Sequence, residues 1–220
     1  MKKFFKFLVI FVISIFLFTS IHKIYKIMHS KSEVSGVSLC ASSQSKTSGD
    51  FNINENYSLL MIDSICNGNY KKGKEYESLR NMKLEYLGLE DNLNYDELLL
   101  LSKIIHAEAG SNWISEEHRQ LVGSVVINRV NSGEFPNSIY DVIHQPKQYS
   151  PVNSGYFSNL IPSETSVKSA FEVITNGSIA PPDVVFQSGF KQGSGVYKII
   201  DDEILGKTYF CYSNNRKLYK

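Results

Sequence analysis

The chain is poor in the residues that build the commonest catalytic and structural devices. It has three cysteines in 220 residues, Cys40, Cys66 and Cys211, and no two are spaced C-x-x-C. Three cannot pair completely within one chain, so a disulfide scaffold is excluded and a cysteine zinc site lacks its spacing. H-E-x-x-H is absent. The nearest stretch is HAEAG at 106–110, and neither His118 nor His144 stands at a ligand spacing, so no metal is expected. No Gly-rich phosphate loop follows a strand pattern and no G-x-S-x-G elbow occurs, so no cofactor is expected. Net charge is scarce too. The 23 basic and 22 acidic residues leave +1, against the basic footprint of a nucleic-acid binder.

What is present is distributed unevenly. Residues 1–31 hold six Lys and no acid, while residues 32–220 hold 17 basic and 22 acidic residues, a net −5. Lys2, Lys3 and Lys6 lead into Phe7–Phe18, in which only Ser14 is polar. A basic start followed by an apolar core is an export signal. With Phe4, Phe5 and Ile21 counted it approaches the roughly 20 apolar residues of a spanning helix. No small-x-small triplet follows the core, which favours an uncleaved anchor over a cleaved signal peptide within residues 1–29. Cys40 in GVSLCAS has Leu39 where a lipobox needs a small residue, so a lipid anchor there is disfavoured. The remainder is expected to be exported, either anchored by this segment or secreted.

Residues 30–49 contain eight Ser and read as a flexible linker. Residues 50–92 read as a helical stalk or extension. Leu59, Leu60, Ile62 and Ile65 mark one short helix, and Leu79, Met82, Leu84 and Leu87 another.

From residue 93 to 220 the pattern predicts one α+β domain, helices first and a small antiparallel sheet after. Asn94 with Glu97 has the capping-box offset, opening a helix that runs to Gly110. Ser115 caps a second helix, with Glu116 and Glu117 against the positive end of its dipole. Its stripe is Leu121, Val122, Val125, Val126 and Val130, with Gly123 admitting a close neighbour. Pro136 and Asn137 start a short helix through Ile143. Ser163 caps another that buries Val167, Ala170, Phe171 and Ile174 and stops at Gly177. The β-branched and aromatic runs at 184–188, 196–200 and 208–213 predict strands, with a turn at Gly193–Gly195.

One residue on the first helix breaks the pattern. Leu101, Ile105 and Glu108 fall at i, i+4 and i+7, which puts a carboxylate on the apolar face. Burying an unpaired carboxylate costs several kcal/mol, so such a group tends to stay protonated. A carboxylic acid near neutral pH is what acid-catalysed glycoside cleavage requires. The competing reading is an ion pair with Arg119 or Arg129, or a cap on a neighbouring turn.

The blocks SKIIHAEAG (102–110), GSVVINRV (123–130), FPNSIYDVI (135–143) and QPKQYS (145–150), with GKTYFCY (206–212), resemble the spore cortex-lytic enzyme family of cell-wall hydrolases. The likeness spans approximately residues 95–213. It implies a lysozyme-related fold, cleavage of peptidoglycan glycan strands, a role in cortex degradation at germination, and Glu108 as the catalytic acid. Many relatives place a second acid three residues after their motif. In this chain the continuation is Gly110, Ser111, Asn112 and Trp113.

Retaining and inverting hydrolysis each use two carboxylates. A lytic transglycosylase manages with one. The acid protonates the glycosidic oxygen that leaves with N-acetylglucosamine, then takes the proton of the muramic C6 hydroxyl as it attacks C1. The nucleophile is part of the substrate, so its effective molarity is high. The further substrate-binding candidates are Asn128, Gln148, Tyr149, Ser150 and Gln187. For Asn128, with Arg129, a buried network supporting Glu108 is the competing role, and for residues 148–150 a plain surface loop. The alternatives to a lyase are an N-acetylmuramoyl amidase, a hydrolytic muramidase, and a non-catalytic peptidoglycan-binding module. The partners expected are glycan strands and, through the N-terminal segment, the membrane, with no nucleic acid.

Overall fold

The computed structural model describes residues 51–220 other than Asn92, Ser154 and Lys220. The basic apolar segment and the Ser-rich linker lie outside the described residues, and no helix among those described is long and apolar enough to cross a membrane.

Among the described residues seven α-helices and three strands follow in order. They are α1 (Phe51–Cys66), α2 (Tyr70–Leu87), α3 (Tyr95–Ala109), α4 (Glu116–Val130), α5 (Ile139–Ile143), α6 (Gly155–Asn159), α7 (Glu164–Asn176), β1 (Val184–Ser188), β2 (Val196–Asp202) and β3 (Gly206–Tyr212). The domain is α+β, with an antiparallel sheet of order β1-β3-β2.

Local chemistry sets the helix starts. The Asn94 side chain accepts from the N–H groups of Asp96 and Glu97, at 2.9 and 3.1 Å. Ser115 accepts from His118 N–H at 3.2 Å, and Ser163 from Ser166 N–H at 3.3 Å. Each such cap is worth about 1 kcal/mol. The short helix α5 starts at Ile139 rather than at Pro136, because the Ser138 hydroxyl accepts the N–H of Asp141 at 3.0 Å and makes Ser138 the cap.

Leu98, Leu101, Ile104 and Ile105 of α3, Val125 and Val126 of α4, and Val167 and Ala170 of α7 are wholly buried in one core. Phe171 and Ile174 sit at its margin, half-buried. A Cβ on Gly123 would meet Ile105 Cδ1 at 3.0 Å and Val173 Cγ2 at 3.4 Å, so the bare glycine lets α4 close on α3 and α7. Residues 50–92 supply α1 and α2, 16 and 18 residues long, and Met61 and Ile65 of α1 lie in the same core as Leu98.

The sheet is fixed at both edges. Strand β1 is held to α4 by side chains described below. Glu117 at the start of α4 pairs with Lys198 of β2. The turn into β2 depends on Gly193, which has φ +63°, and a Cβ there would fall 1.9 Å from the Tyr212 carbonyl oxygen. Gln187 and Lys198 both register with Phe210, and residues directly opposite share a sheet face. Phe210 stacks edge-on against His118 at 5.7 Å, so that face covers the start of α4.

Candidate active site

Glu108 lies on the last turn of α3, one residue before the helix ends, below the wholly buried Leu101 and Ile105. Desolvation by this burial pushes its carboxyl above the usual carboxylate range, and a hydrogen bond from Gln187 partly opposes the shift. That bond runs from Gln187 Nε2 to Glu108 Oε2 at 3.5 Å, across 79 residues of sequence. Neither arginine of the ion-pair reading reaches Glu108. Arg119 donates to the Ser111 carbonyl at 3.1 Å, and Arg129 Nε to the Val185 carbonyl at 2.7 Å.

The loop before α6 supplies the third component. It turns at Lys147, which has φ +67°, and sends Tyr149 inward between the exposed Gln148 and Ser150. Tyr149 is 3 % exposed, and its hydroxyl has no hydrogen-bond partner among the described residues. Burial raises its pKa, Arg129 lowers it, and Glu108 raises it again. The Arg129 guanidinium carbon lies 5.4 Å from the Tyr149 ring centre and 5.0 Å from that of Phe135. A cation on two ring faces holds the loop against α4.

Asn128 has a different setting from the loop residues. It is 5 % exposed, and its amide donates to the carbonyls of Pro181 at 2.8 Å and Val184 at 2.9 Å. It therefore pins β1, the strand that carries Gln187, and matches the supporting network rather than a sugar contact. Of the five binding candidates, Gln187 and Tyr149 stand with Glu108, Gln148 and Ser150 flank Tyr149 at the surface, and Asn128 works from behind. Two residues stand in places that the sequence did not assign them. Arg119 clamps the 110–114 loop through Ser111, and Trp113 stands 54 % exposed on that loop. The signal for Trp113 was available, since it is the chain's one Trp and directly follows Asn112, which stands where the second acid was expected.

The other titratable groups have separate jobs. Glu116 accepts from Gln120 at 3.0 Å and Glu117 pairs with Lys198, so neither serves as a second carboxylate beside Glu108. His106 Nδ1 accepts the Ser163 N–H at 3.1 Å, which puts the ring proton on Nε2 and ties α3 to the start of α7. His144 stacks on Tyr140 with ring centres 4.0 Å apart. Among the described residues no three His, Cys, Asp or Glu side chains converge as metal ligands. Burial, followed by the charges of Glu164 and Asp63, pushes the Cys66 thiol up to about 11, too high for a nucleophile at neutral pH. A cavity of about 530 Å³ lined by Asn94, Asp96, Glu97, Leu99, Leu100, Ser138, Ile139 and Tyr140 lies at the opposite end of α3 from Glu108.

Two solved structures are similar to the chain. The catalytic domain of the Bacillus cereus SleB protein is 23% identical over 56% of this chain and 94% of that one, with a TM-score of 0.43. The catalytic domain of the germination-specific lytic transglycosylase SleB from Bacillus anthracis gives 23% identity, 56% and 99% coverage, and the same TM-score of 0.43. No curated protein matches. The cell wall hydrolase family model matches residues 115–188, from the cap of α4 through strand β1, and begins seven residues beyond Glu108. Over this segment the chain is similar to the cell wall hydrolase family.

Proposed function

We propose that the protein cleaves peptidoglycan glycan strands between N-acetylmuramic acid and N-acetylglucosamine as a lytic transglycosylase, with Glu108 as general acid and then general base. The observation that carries this reading is the setting of Glu108. It is a carboxyl raised by burial, touched by one neutral amide, with no second carboxylate bonded to it among the described residues.

In the first step the protonated Glu108 donates to the glycosidic oxygen as the bond to the muramic C1 breaks. In the second, the carboxylate so formed takes the C6 hydroxyl proton as that oxygen bonds to C1. The 1,6-anhydro ring closes and the acid is regenerated. Hydrolysis would need a further base to activate water. Gln148, Ser150 and the face of Trp113 are the groups available at the surface for N-acetyl groups and sugar rings. The fold belongs in this reading to the lysozyme-related class. Residues 1–29 anchor or export the chain, 30–49 tether it, 50–92 extend it and 93–220 form the catalytic domain. The wall or the spore cortex at germination is its place of work.

The test compares the whole chain with its Glu108→Gln variant on purified cortex and on vegetative wall, following loss of turbidity. Wild type should clear at least one substrate and Glu108→Gln should lose at least about a hundredfold in rate. Full activity in Glu108→Gln would remove Glu108 from the chemistry. Binding without clearance by wild type would make the domain a binding module.

A further inference from the structure

A carboxylic acid carries its proton on one of two oxygens, and only one of them can face the scissile bond. Gln187 bears on this choice. Among the described residues its side chain is the one hydrogen-bonded to Glu108, through Nε2 to Oε2. An amide nitrogen donates and cannot accept, so the oxygen it contacts remains an acceptor whether the carboxyl is charged or neutral.

The amide is carried on a rigid element. Gln187 registers with Phe210, which is wholly buried, and its strand is pinned by Asn128 and Arg129 through the carbonyls of Val184 and Val185. The Gln187 Oε1 atom is itself buried without a hydrogen-bond partner among the described residues. Burying an unsatisfied oxygen is costly, and a residue placed only for packing has no reason to incur that cost. The 3.5 Å separation is long for a hydrogen bond, as catalytic contacts often are before substrate binds.

Resting on the reading of Glu108 as the acid and base, we propose that Gln187 is a positioning residue that selects the oxygen bearing the catalytic proton. Its N–H keeps Oε2 as the acceptor. The transferable proton therefore sits on Oε1, which gives it to the glycosidic oxygen as the C1–O bond breaks and then takes one from the C6 hydroxyl as the new C1–O bond forms. The titratable and charged groups around Glu108 from other elements are Tyr149 of the loop and, behind its ring, Arg129 of α4. On its own helix are Lys103 and His106, which bond instead to the Ser158 carbonyl and to Ser163.

The experiment measures kcat and KM against pH for the whole chain on soluble glycan strands. The proteins are wild type, Gln187→Met, Gln187→Glu and Glu108→Gln. Glu108 must be protonated to begin, so activity falls as pH rises through its pKa. Gln187→Met removes a donor that favours the charged form. It should lower kcat roughly tenfold to a hundredfold while KM changes by less than about threefold, and move the alkaline limb to higher pH. Gln187→Glu keeps the volume, substitutes an acceptor, and should move the limb further. A raised KM with unchanged kcat would make Gln187 a sugar contact and overturn the proposal. If Gln187→Met does not fold, an unmoved limb in Gln187→Glu overturns it equally. An active Glu108→Gln removes the underlying reading as well. An inactive Glu108→Gln beside wild-type kcat and limb in both Gln187 variants removes the proton placement alone.

Discussion

Replacing Asn128 by Leu separates a sugar-binding role from a supporting one. Leu is close in volume, so the cavity term is small and the loss falls on two hydrogen bonds. The bond to the Val184 carbonyl is buried, and leaving that oxygen unpaired costs about 1–3 kcal/mol. The bond to Pro181 is partly buried, where water can replace the amide, and its net worth is about 0.5–1.5 kcal/mol. The sum is about 1.5–4.5 kcal/mol. For a domain of this size each kcal/mol moves the melting temperature by about 2–4 °C, so a fall of roughly 3–18 °C is expected. The assay is urea denaturation and a thermal melt of the whole chain, with KM measured below the transition. A loss of less than about 0.5 kcal/mol together with a large rise in KM would refute the support of β1 and restore Asn128 to the sugar site.

Two other outcomes follow from the same geometry. Because the folded state raises the Glu108 pKa, it binds a proton more tightly than the unfolded chain, and stability is lost as pH rises from the ordinary Glu value through the folded one. Glu108→Gln should therefore melt higher than wild type at pH 7 and show a smaller gain at pH 4; equal melting at pH 7 would contradict the burial cost. Gly193→Ala should lose at least about 2 kcal/mol in a denaturation curve, since the left-handed backbone and the Tyr212 carbonyl both oppose a Cβ, and an unchanged midpoint would contradict that turn geometry.

Much of the fold was legible because its determinants are local. Asn94, Ser115 and Ser163 bond N–H groups two or three residues ahead, and a cap can be read in so short a window. The same locality misled at α5, where Pro136 fits a first helical position but Ser138 holds the decisive hydroxyl. The strands were readable from β-branched and aromatic runs, yet their order β1-β3-β2 depends on long-range pairing. Glu108 was visible as a carboxylate on an apolar stripe. Its contact with Gln187 was not, because alternation gives the face of a strand without naming the helix end that meets it. Tyr149 sits in a loop whose composition reads as surface, yet it is buried in the core with Arg129 of a different element over its ring. Helices α1 and α2 were marked by their apolar spacing, but that spacing does not say that Met61 and Ile65 join the core of α3.

The central claim is that one half-buried carboxyl suffices because the substrate supplies the nucleophile. It is tested most directly by mass spectrometry of the muropeptides released from cortex and vegetative wall by the whole chain, with borohydride reduction to mark free reducing ends. Products ending in 1,6-anhydromuramic acid, absent from the Glu108→Gln digest, are expected. Reducible muramic ends without anhydro products would mean that water is the nucleophile, and free stem peptides on intact glycan would mean that an amide bond is cut; either result would contradict the account.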